Sequence, residues 1–476
     1  MQICKKAILL IFVFSNLCSF SITTIKVSSH PYTPRFDAPI FEVTCNVTTF
    51  SSPDSSYATL SRFLKSAESN ISIMIYSISH PYLLEILNER ISHGVTVTCI
   101  LQLSHVSSSE TSYTKYAAWN LSTAGASVYW ANETAFRYTH AKFVIIDNKT
   151  VIVESANWAK TGIPVNSSYG NREWGIAITE PHVVHYFEEV FNNDLAIATP
   201  YNNENGTAVG PSISTGKYPS PFNSTEFSGA MKIQPFVSPD SSETAILSLL
   251  NSANSSIYVQ QDYIYKNWGS NLSPFVEALV AAKNKGIDVR VIFNKEVAGN
   301  NETAAYLAGY GIEVRYTNTT YFERTHNKGV IVDGKAVLIS SVNWGENSVR
   351  NNREAGVIIY NTAVAQYYEQ IYLWDWSVAE PYGGPAEQPQ TVNIDPVLLI
   401  VIIVIAVVGN VVYILRRRRT WHVRTHTHAS RHVVASPTET PPSISQSPTQ
   451  SPASATPKRR TSGQRRPRKR KSSGTV

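Results

Sequence analysis

The sequence predicts an α/β fold of two halves related by a pseudo-twofold axis, each half a sheet sandwiched between helical layers (α/β/α). Three observations predict it. The chain repeats itself at a shared offset of 186 positions. Each repeat alternates strand-period with helix-period apolar residues. A Pro/Gly/Ser/Asn/Thr-rich stretch, 196–230, separates the repeats. A self-similar chain of alternating strands and helices folds as two like units with covered sheets.

The repeat holds without gaps at several separated places. Ser52-Pro53-Asp54-Ser55 falls on Ser238-Pro239-Asp240-Ser241, and Ser66-Ala67 on Ser252-Ala253. His140, Lys142 and Asp147 fall on His326, Lys328 and Asp333, and Ser155, Asn157 and Trp158 on Ser341, Asn343 and Trp344.

The elements follow from apolar spacing. Ile71, Ile73 and Ile75 alternate as a strand, Leu84, Leu87 and Ile91 recur at helical spacing, and Gly94 stops that helix. Val95, Val97 and Cys99 resume the strand period, and Lys142–Ile146, Val151–Val153 and Trp174–Ile178 follow as strands. A helix opens at Pro181 with Val183, Val184, Phe187, Val190 and Phe191 inward. The second half repeats the plan, with strands near Ser256–Val259 and Asp288–Phe293 around a helix carrying Phe275, Leu279 and Ala282. The halves are expected at 41–195 and 231–377, joined by the connector 196–230.

The ends of the chain read differently. Lys5 and Lys6 precede the apolar run Ala7 to Phe14 and then small and polar residues, the order of a secretory signal over 1–21. A short stalk, 378–396, leads to 397–415, an uncharged apolar run of the length of a membrane-spanning helix. Arg416 to Arg419 follow directly and assign that end to the cytoplasm. The expected protein is therefore a single-pass type I membrane protein with its body extracellular or lumenal. The net charge of +6 hides a partition: residues 416–476 carry 15 Lys+Arg and one acid. Apart from Lys5 and Lys6, the rest holds 24 bases against 34 acids. The basic, Ser/Thr/Pro-rich tail is expected to be disordered and to meet anionic lipid of the inner leaflet.

Twelve Asn-x-Ser/Thr triplets lie in the body and none in the tail, in keeping with export. With the signal removed, only Cys45 and Cys99 remain, either as one disulfide or as two buried thiols.

The chemistry resides in His140-Ala141-Lys142 with Asp147 and His326-Asn327-Lys328 with Asp333, both H-x-K-x4-D. Residues two apart in a strand share a face, so each motif offers an imidazole and a cation to one bound group. A phosphodiester in its transition state spreads negative charge over its non-bridging oxygens, which paired lysines answer. One imidazole can attack phosphorus while the other protonates the leaving oxygen, and no metal or other cofactor is required.

These motifs, continued by Ser155-Ala156-Asn157 and Ser341-Val342-Asn343 and by Arg172-Glu173 and Arg353-Glu354, resemble the phospholipase D superfamily over roughly 41–376. The resemblance implies His140 as nucleophile and His326 as acid and base. It implies Lys142, Lys328, Asn157 and Asn343 as phosphate ligands, with Ser155 and Ser341 near them. Glu173 and Glu354 would each take a hydrogen bond from the far nitrogen of a histidine ring. Asp147 and Asp333 complete the motif, either in the site or as ties to the scaffold. One departure stands out: the glycine that opens G-S-x-N is Glu154 in the first half and Ser340 in the second. Its strand phase, opposite to that of Val151 and Val153, is expected to turn Glu154 away from the phosphate site. The expected substrate is a phospholipid headgroup diester; the alternatives are a single-stranded nucleic acid, or binding without catalysis.

Overall fold

The computed structural model describes residues 32–165, 169–202, 222–384, 408–409 and 411–413. Both halves lie in one compact unit, Met1–Pro389, and 390–476 form another. The segment read as a signal and nearly all of the apolar run 397–415 lie outside the described residues. Among those described, no helix is long and apolar enough to cross a membrane.

A single sheet of 16 strands runs through both halves. From its middle outward, the first half contributes Phe41–Ser52, Glu173–Ile178, Thr150–Glu154, Lys142–Ile146, Asn70–Ile75, Thr96–Leu101, Ser127–Trp130 and Thr199–Pro200. The second half repeats that order with Thr225–Ser238, Glu354–Tyr360, Ala336–Ser340, Lys328–Val332, Ser256–Gln261, Asp288–Phe293, Glu313–Tyr316 and Glu380–Pro381. The halves meet where Phe41–Thr49 pairs antiparallel with Thr225–Ile233. Asn70–Ile75, Thr96–Leu101 and Ser127–Trp130 are mutually parallel and joined by helices Pro81–Ser92 and Ser108–Ala124, the expected βαβ logic.

Three buried layers hold the fold together. The middle one is built from both halves: Val153, Trp174 and Ile176 meet Ile331, Val337 and Val357 beneath helices Pro181–Leu195 and Thr362–Val378. The outer faces are covered separately, by Leu60, Leu83, Leu87 and Leu121 in the first half and by Ile246, Leu279 and Leu307 in the second. Each fully buried aliphatic side chain contributes about 1.5–3 kcal/mol, so the shared layer alone welds the halves into one body. The repeat extends to packing detail. A Cβ on Gly175 would sit 2.3 Å from the ring of Phe50, and one on Gly356 2.2 Å from the ring of Phe236.

Several sequence expectations change. The stretch 196–230 is not all connector: Thr199–Pro200 edges the first half, and Thr225–Ser238 opens the second. Its leading part is a half-exposed ribbon whose Ser228, Gly229 and Ala230 mask the strand period. The stalk likewise begins inside the sheet, since Glu380–Pro381 pairs with Arg315 and Tyr316. Helix Ser108–Ala124 escaped notice because its inward face is Thr114, Ala117, Ala118 and Leu121, too small and polar to show a period. Cys45 and Cys99 are both free thiols, Cys99 in the first half's outer layer and Cys45 against the shared one.

Candidate active site

The seam between halves is also where the motifs meet. Thr139, before His140, bridges to Arg353, and Thr325, before His326, bridges to Arg172. The backbone N–H groups of His140 and Ala141 donate to the carbonyl of Arg353 at 2.7 and 2.8 Å, and that of His326 donates to the carbonyl of Arg172 at 3.1 Å. Each histidine is thus fastened to the Arg-Glu pair of the opposite half. Those arginines are anchors. Arg172 is fully buried against Asp375 at 2.9 Å and Asp54 at 2.5 Å, and Arg353 against Asp194 at 2.7 Å and Asp240 at 2.6 Å. The repeated Ser-Pro-Asp-Ser segments supply Asp54 and Asp240, and the ends of the two long helices supply Asp194 and Asp375.

With the arginines fixed, the glutamates cross over. Nδ1 of His140 lies 2.8 Å from Oε2 of Glu354, and Nδ1 of His326 lies 2.7 Å from Oε1 of Glu173. Ser341 Oγ donates to Glu354 and Ser155 Oγ to Glu173, each at 2.6 Å. Asn352 Nδ2 donates to Glu354 at 3.0 Å and Asn171 Nδ2 to Glu173 at 3.2 Å. Burial pushes both carboxyls up. The facing histidine, the lysine of that histidine's motif and these hydroxyl donors outweigh it, so both stay below the usual carboxylate range. An ionised Glu354 takes the Nδ1 proton and leaves Nε2 of His140 as the free lone pair. Burial holds His140 down to about 4, against the pull of Glu354 and with the push of Lys142 and Lys328. The ring is therefore neutral near pH 7, as an attacking imidazole must be.

Lys142 and Lys328 are fully buried. Nζ of Lys142 donates to the carbonyl of His140 at 2.6 Å, and Nζ of Lys328 to that of His326. His140 and His326 lie just ahead of their strands, so this back-bonding joins cation to imidazole where a shared strand face was expected. Burial brings Lys142 down to about 7, with Lys328 adding to the shift and Glu354 and Glu173 opposing it. Both lysines thus lie within electrostatic reach of both glutamates. Asn157 and Asn343 each bury an amide Oδ1 that has no hydrogen-bond partner among the described residues, and the Asn343 side chain also bonds Tyr263.

Asp147 and Asp333 are not brought to this cleft. Both have left-handed backbone, φ 53° and 55°, in the turns after their strands. The Asp147 carboxylate accepts the backbone N–H of Glu68, Ser69 and Asn70, and that of Asp333 accepts those of Asn254, Ser255 and Ser256. Their geometry is that of a scaffold tie, against their inclusion with the catalytic set.

Glu154 does not turn away either. Phe143 pairs with Val153, which sets Glu154 across from Lys142 on the same face. It is 2% exposed, and its Oε1 accepts the indole N–H of Trp158 at 2.6 Å. Burial, with Glu173 nearby, pushes its carboxyl up to about 8 despite the Trp158 hydrogen bond, so it is mostly neutral at pH 7 and adds little repulsion. In the second half Ser340 bonds the carbonyl of Lys328 instead, and the indole N–H of Trp344 has no partner among the described residues.

Other neighbours went unforeseen. Asn171 and Asn352 stand in identical Asn-Arg-Glu triplets, a signal the repeat did contain. Tyr76 sets its ring edge-on to His140 at 4.8 Å and 5.4 Å from Nζ of Lys142, but its counterpart in the second half is Asp262, so the repeat was silent.

The family described as cardiolipin synthase, PLD-like domain, matches residues 60–195 and 246–376, more than half of the chain and one segment per half. Mitochondrial cardiolipin hydrolase of Mus musculus is 30% identical over 98 residues, 20% of this chain and 43% of that protein. Its counterpart in Xenopus tropicalis is 28% identical over 105 residues, 22% of this chain and 49% of that protein. The match thus spans about half the length of these curated relatives. In fold, the chain is similar to phosphatidylserine synthase of Haemophilus influenzae Rd KW20, with a TM-score of 0.52 and 13% identity over 70% of this chain and 87% of that one.

Proposed function

The chain belongs to the phospholipase D superfamily, and from that premise we propose that it hydrolyses phospholipid headgroup diesters through a phosphohistidine. The observation that carries the reading is the crossed pairing of His140 with Glu354 and His326 with Glu173. It orients two imidazoles, one from each half, at a cleft that buries two lysines. Nε2 of His140 attacks phosphorus and forms an N–P bond as the bond from phosphorus to the headgroup oxygen breaks. That oxygen takes its proton from His326. Water then attacks the phosphohistidine, giving a proton back to His326, and the N–P bond breaks to release phosphatidic acid. Lys142 and Lys328 balance the charge on the non-bridging oxygens, and Asn157 and Asn343 serve the same oxygens by donating from their amide Nδ2 groups.

An acid, a base, a nucleophile and charge stabilisers are all present as side chains, so the reading needs no metal. The predominantly neutral state of Glu154 argues against a first half that only binds. A nucleic-acid substrate is the second reading, favoured by one feature: Tyr263 and Tyr265 stack at 4.7 Å near Glu354, a surface on which a base can lie. The acidic body opposes a long polyanion.

The test offers the purified protein phosphatidylcholine vesicles and short single-stranded DNA, with a His140→Ala/His326→Ala double variant as control. Phosphatidic acid and an acid-labile phosphoenzyme from the parent alone are the expected result. Cleavage of DNA only, or equal turnover by the double variant, refutes it. We also place the body outside the cytoplasm. In support, the sequon residues Asn46, Asn148, Asn223, Asn254, Asn271 and Asn301 are exposed. A gel mobility unchanged by endoglycosidase would count against that placement.

A further inference from the structure

Beside His326 the surface opens into a cavity of about 460 Å³. Its lining includes Lys295, Glu296, Glu323, Arg324 and Glu380, together with the buried Asn294. None of those five charged side chains has an ion-pair partner among the described residues. Asn294 ties the cavity to the chemistry: its Nδ2 donates to the carbonyl of Thr325 at 2.7 Å, and its Oδ1 accepts the N–H of Thr325 at 2.9 Å. Thr325 is the residue before His326, and Arg324 is close enough to act on the charge of Lys328.

The first half is built differently at the corresponding place. Gln102 holds Thr139 there, its Oε1 accepting the N–H at 2.7 Å, and the glutamate beside it, Glu133, is held by hydrogen bonds. The Glu133 carboxylate accepts from Gln102 Nε2 at 2.6 Å and from the backbone of Ser104 at 2.7 Å, and the rings of Tyr76 and His105 pack alongside. The two sides of the cleft therefore differ. The His140 side carries a hydrogen-bonded glutamate and two aromatic rings; the His326 side has a cavity whose charged side chains have no ion-pair partner among the described residues.

We propose that this cavity receives the leaving headgroup and selects one that carries both an ammonium and a carboxylate, as a serine-type headgroup does. The inference rests on the hydrolase reading, in which His326 protonates the leaving oxygen, because that assignment puts the headgroup on the His326 side. Glu296, Glu323 and Glu380 suit the ammonium, and Arg324 and Lys295 the carboxylate. A choline headgroup would leave the two bases unanswered, a glycerol headgroup would answer neither sign, and a chain of phosphates would meet three carboxylates.

The experiment compares kcat/KM of the full chain on vesicles doped with equal fractions of phosphatidylserine, phosphatidylcholine or phosphatidylglycerol. Bis(p-nitrophenyl) phosphate and short single-stranded DNA complete the set. Phosphatidylserine is expected to lead the other lipids by about tenfold or more, the discrimination of one charged contact. Glu323→Gln and Arg324→Gln should each reduce the ratio of phosphatidylserine to bis(p-nitrophenyl) phosphate turnover by a similar factor. Equal turnover of the three lipids, with the nitrophenyl diester cleaved, overturns the inference and leaves the hydrolase standing. Cleavage of DNA in preference to every lipid overturns it as well. Failure to cleave any diester refutes the hydrolase reading and the inference together.

Discussion

Nδ1 of His140 and Oε2 of Glu354 lie 2.8 Å apart although 214 positions separate them in the chain. The carboxylate fixes the ring tautomer with Nε2 free and stabilises the cation that forms when the ring is protonated or phosphorylated. Glu354→Gln keeps the size of the side chain and removes the charge. By analogy with loss of an orienting carboxylate elsewhere, kcat should fall about 10²–10⁴-fold with little change in KM. Glu173→Gln should do the same through His326. Steady-state kinetics on a soluble diester checks both, and a rate within threefold of the parent's would sink the assignment.

The same burial shapes the response to pH. Lys142 is brought down to about 7 and His140 down to about 4. Raising the pH above about 7 removes the Lys142 proton and with it positive charge facing an anionic substrate. Lowering it below about 4 protonates His140 and removes the attacking lone pair. The profile of kcat/KM, which reports the free enzyme, should be broad between those limits and fall up to tenfold per pH unit above about 7. Lys142→Arg keeps its charge across that range and should change the position of the alkaline limb, leaving only the loss of the His326 proton to set it. A parent profile that is flat to pH 9 contradicts this account.

Glu154 makes the protein less stable as pH rises. Its carboxyl titrates near 8 when folded and near 4.5 when free, so at neutral pH the folded chain holds a proton that the unfolded chain gives up. Linkage then opposes folding, by nothing below about 4.5 and by an increasing amount up to about 8. Glu154→Gln still accepts the Trp158 indole N–H and cannot ionise. It should raise stability at pH 7.5 by on the order of 1–3 kcal/mol and give no such gain at pH 4.5. Urea titrations at the two pH values measure it; a gain independent of pH would contradict the proposed cause.

The histidines, lysines and glutamates were legible because the duplication prints each of them twice at nearly one spacing. Their crossing was not. An offset shows which residues are equivalent, and it is silent on whether Glu173 serves His140 or His326, which only the seam through Arg172 and Arg353 decides. Tyr76 and the charged cavity were hidden for the opposite reason: they break the symmetry, and a symmetric argument passes over them. Strand phase misplaced Glu154 because it located the face and not the residue opposite, which is Lys142.

Arg353 belongs to that seam. Its guanidinium bonds Asp194, Asp240, the carbonyl of Ser238 and the hydroxyl of Tyr32 with no exposure to solvent. Arg353→Met would strand two buried carboxylates, which costs about 3–5 kcal/mol when one partner of a buried pair is lost. Combining it with Asp194→Asn and Asp240→Asn should recover part of that loss, since no charge is then left unpaired. Chemical denaturation of the single and triple variants tests this, and a single variant as stable as the parent would show that the guanidinium does not hold the seam.

Asp333 should matter for folding and not for turnover. Its carboxylate accepts the N–H groups of Asn254, Ser255 and Ser256, tying the turn after the Lys328 strand to the start of the neighbouring one. Those donors hold it below the usual carboxylate range although burial pushes the other way. Its stabilising contribution is therefore present at neutral pH and lost as pH falls through that range. Asp333→Asn keeps one acceptor oxygen and forfeits the charge, at a cost of about 1–2 kcal/mol for charge-assisted bonds at a part-buried site. The loss should shrink in acid, where the parent carboxyl is itself protonated. With the turn still formed, kcat on a soluble diester should stay within about twofold, because the histidine that motif positions is held by Glu173 and the carbonyl of Arg172. A hundredfold fall in kcat at unchanged stability would return Asp333 to the catalytic set.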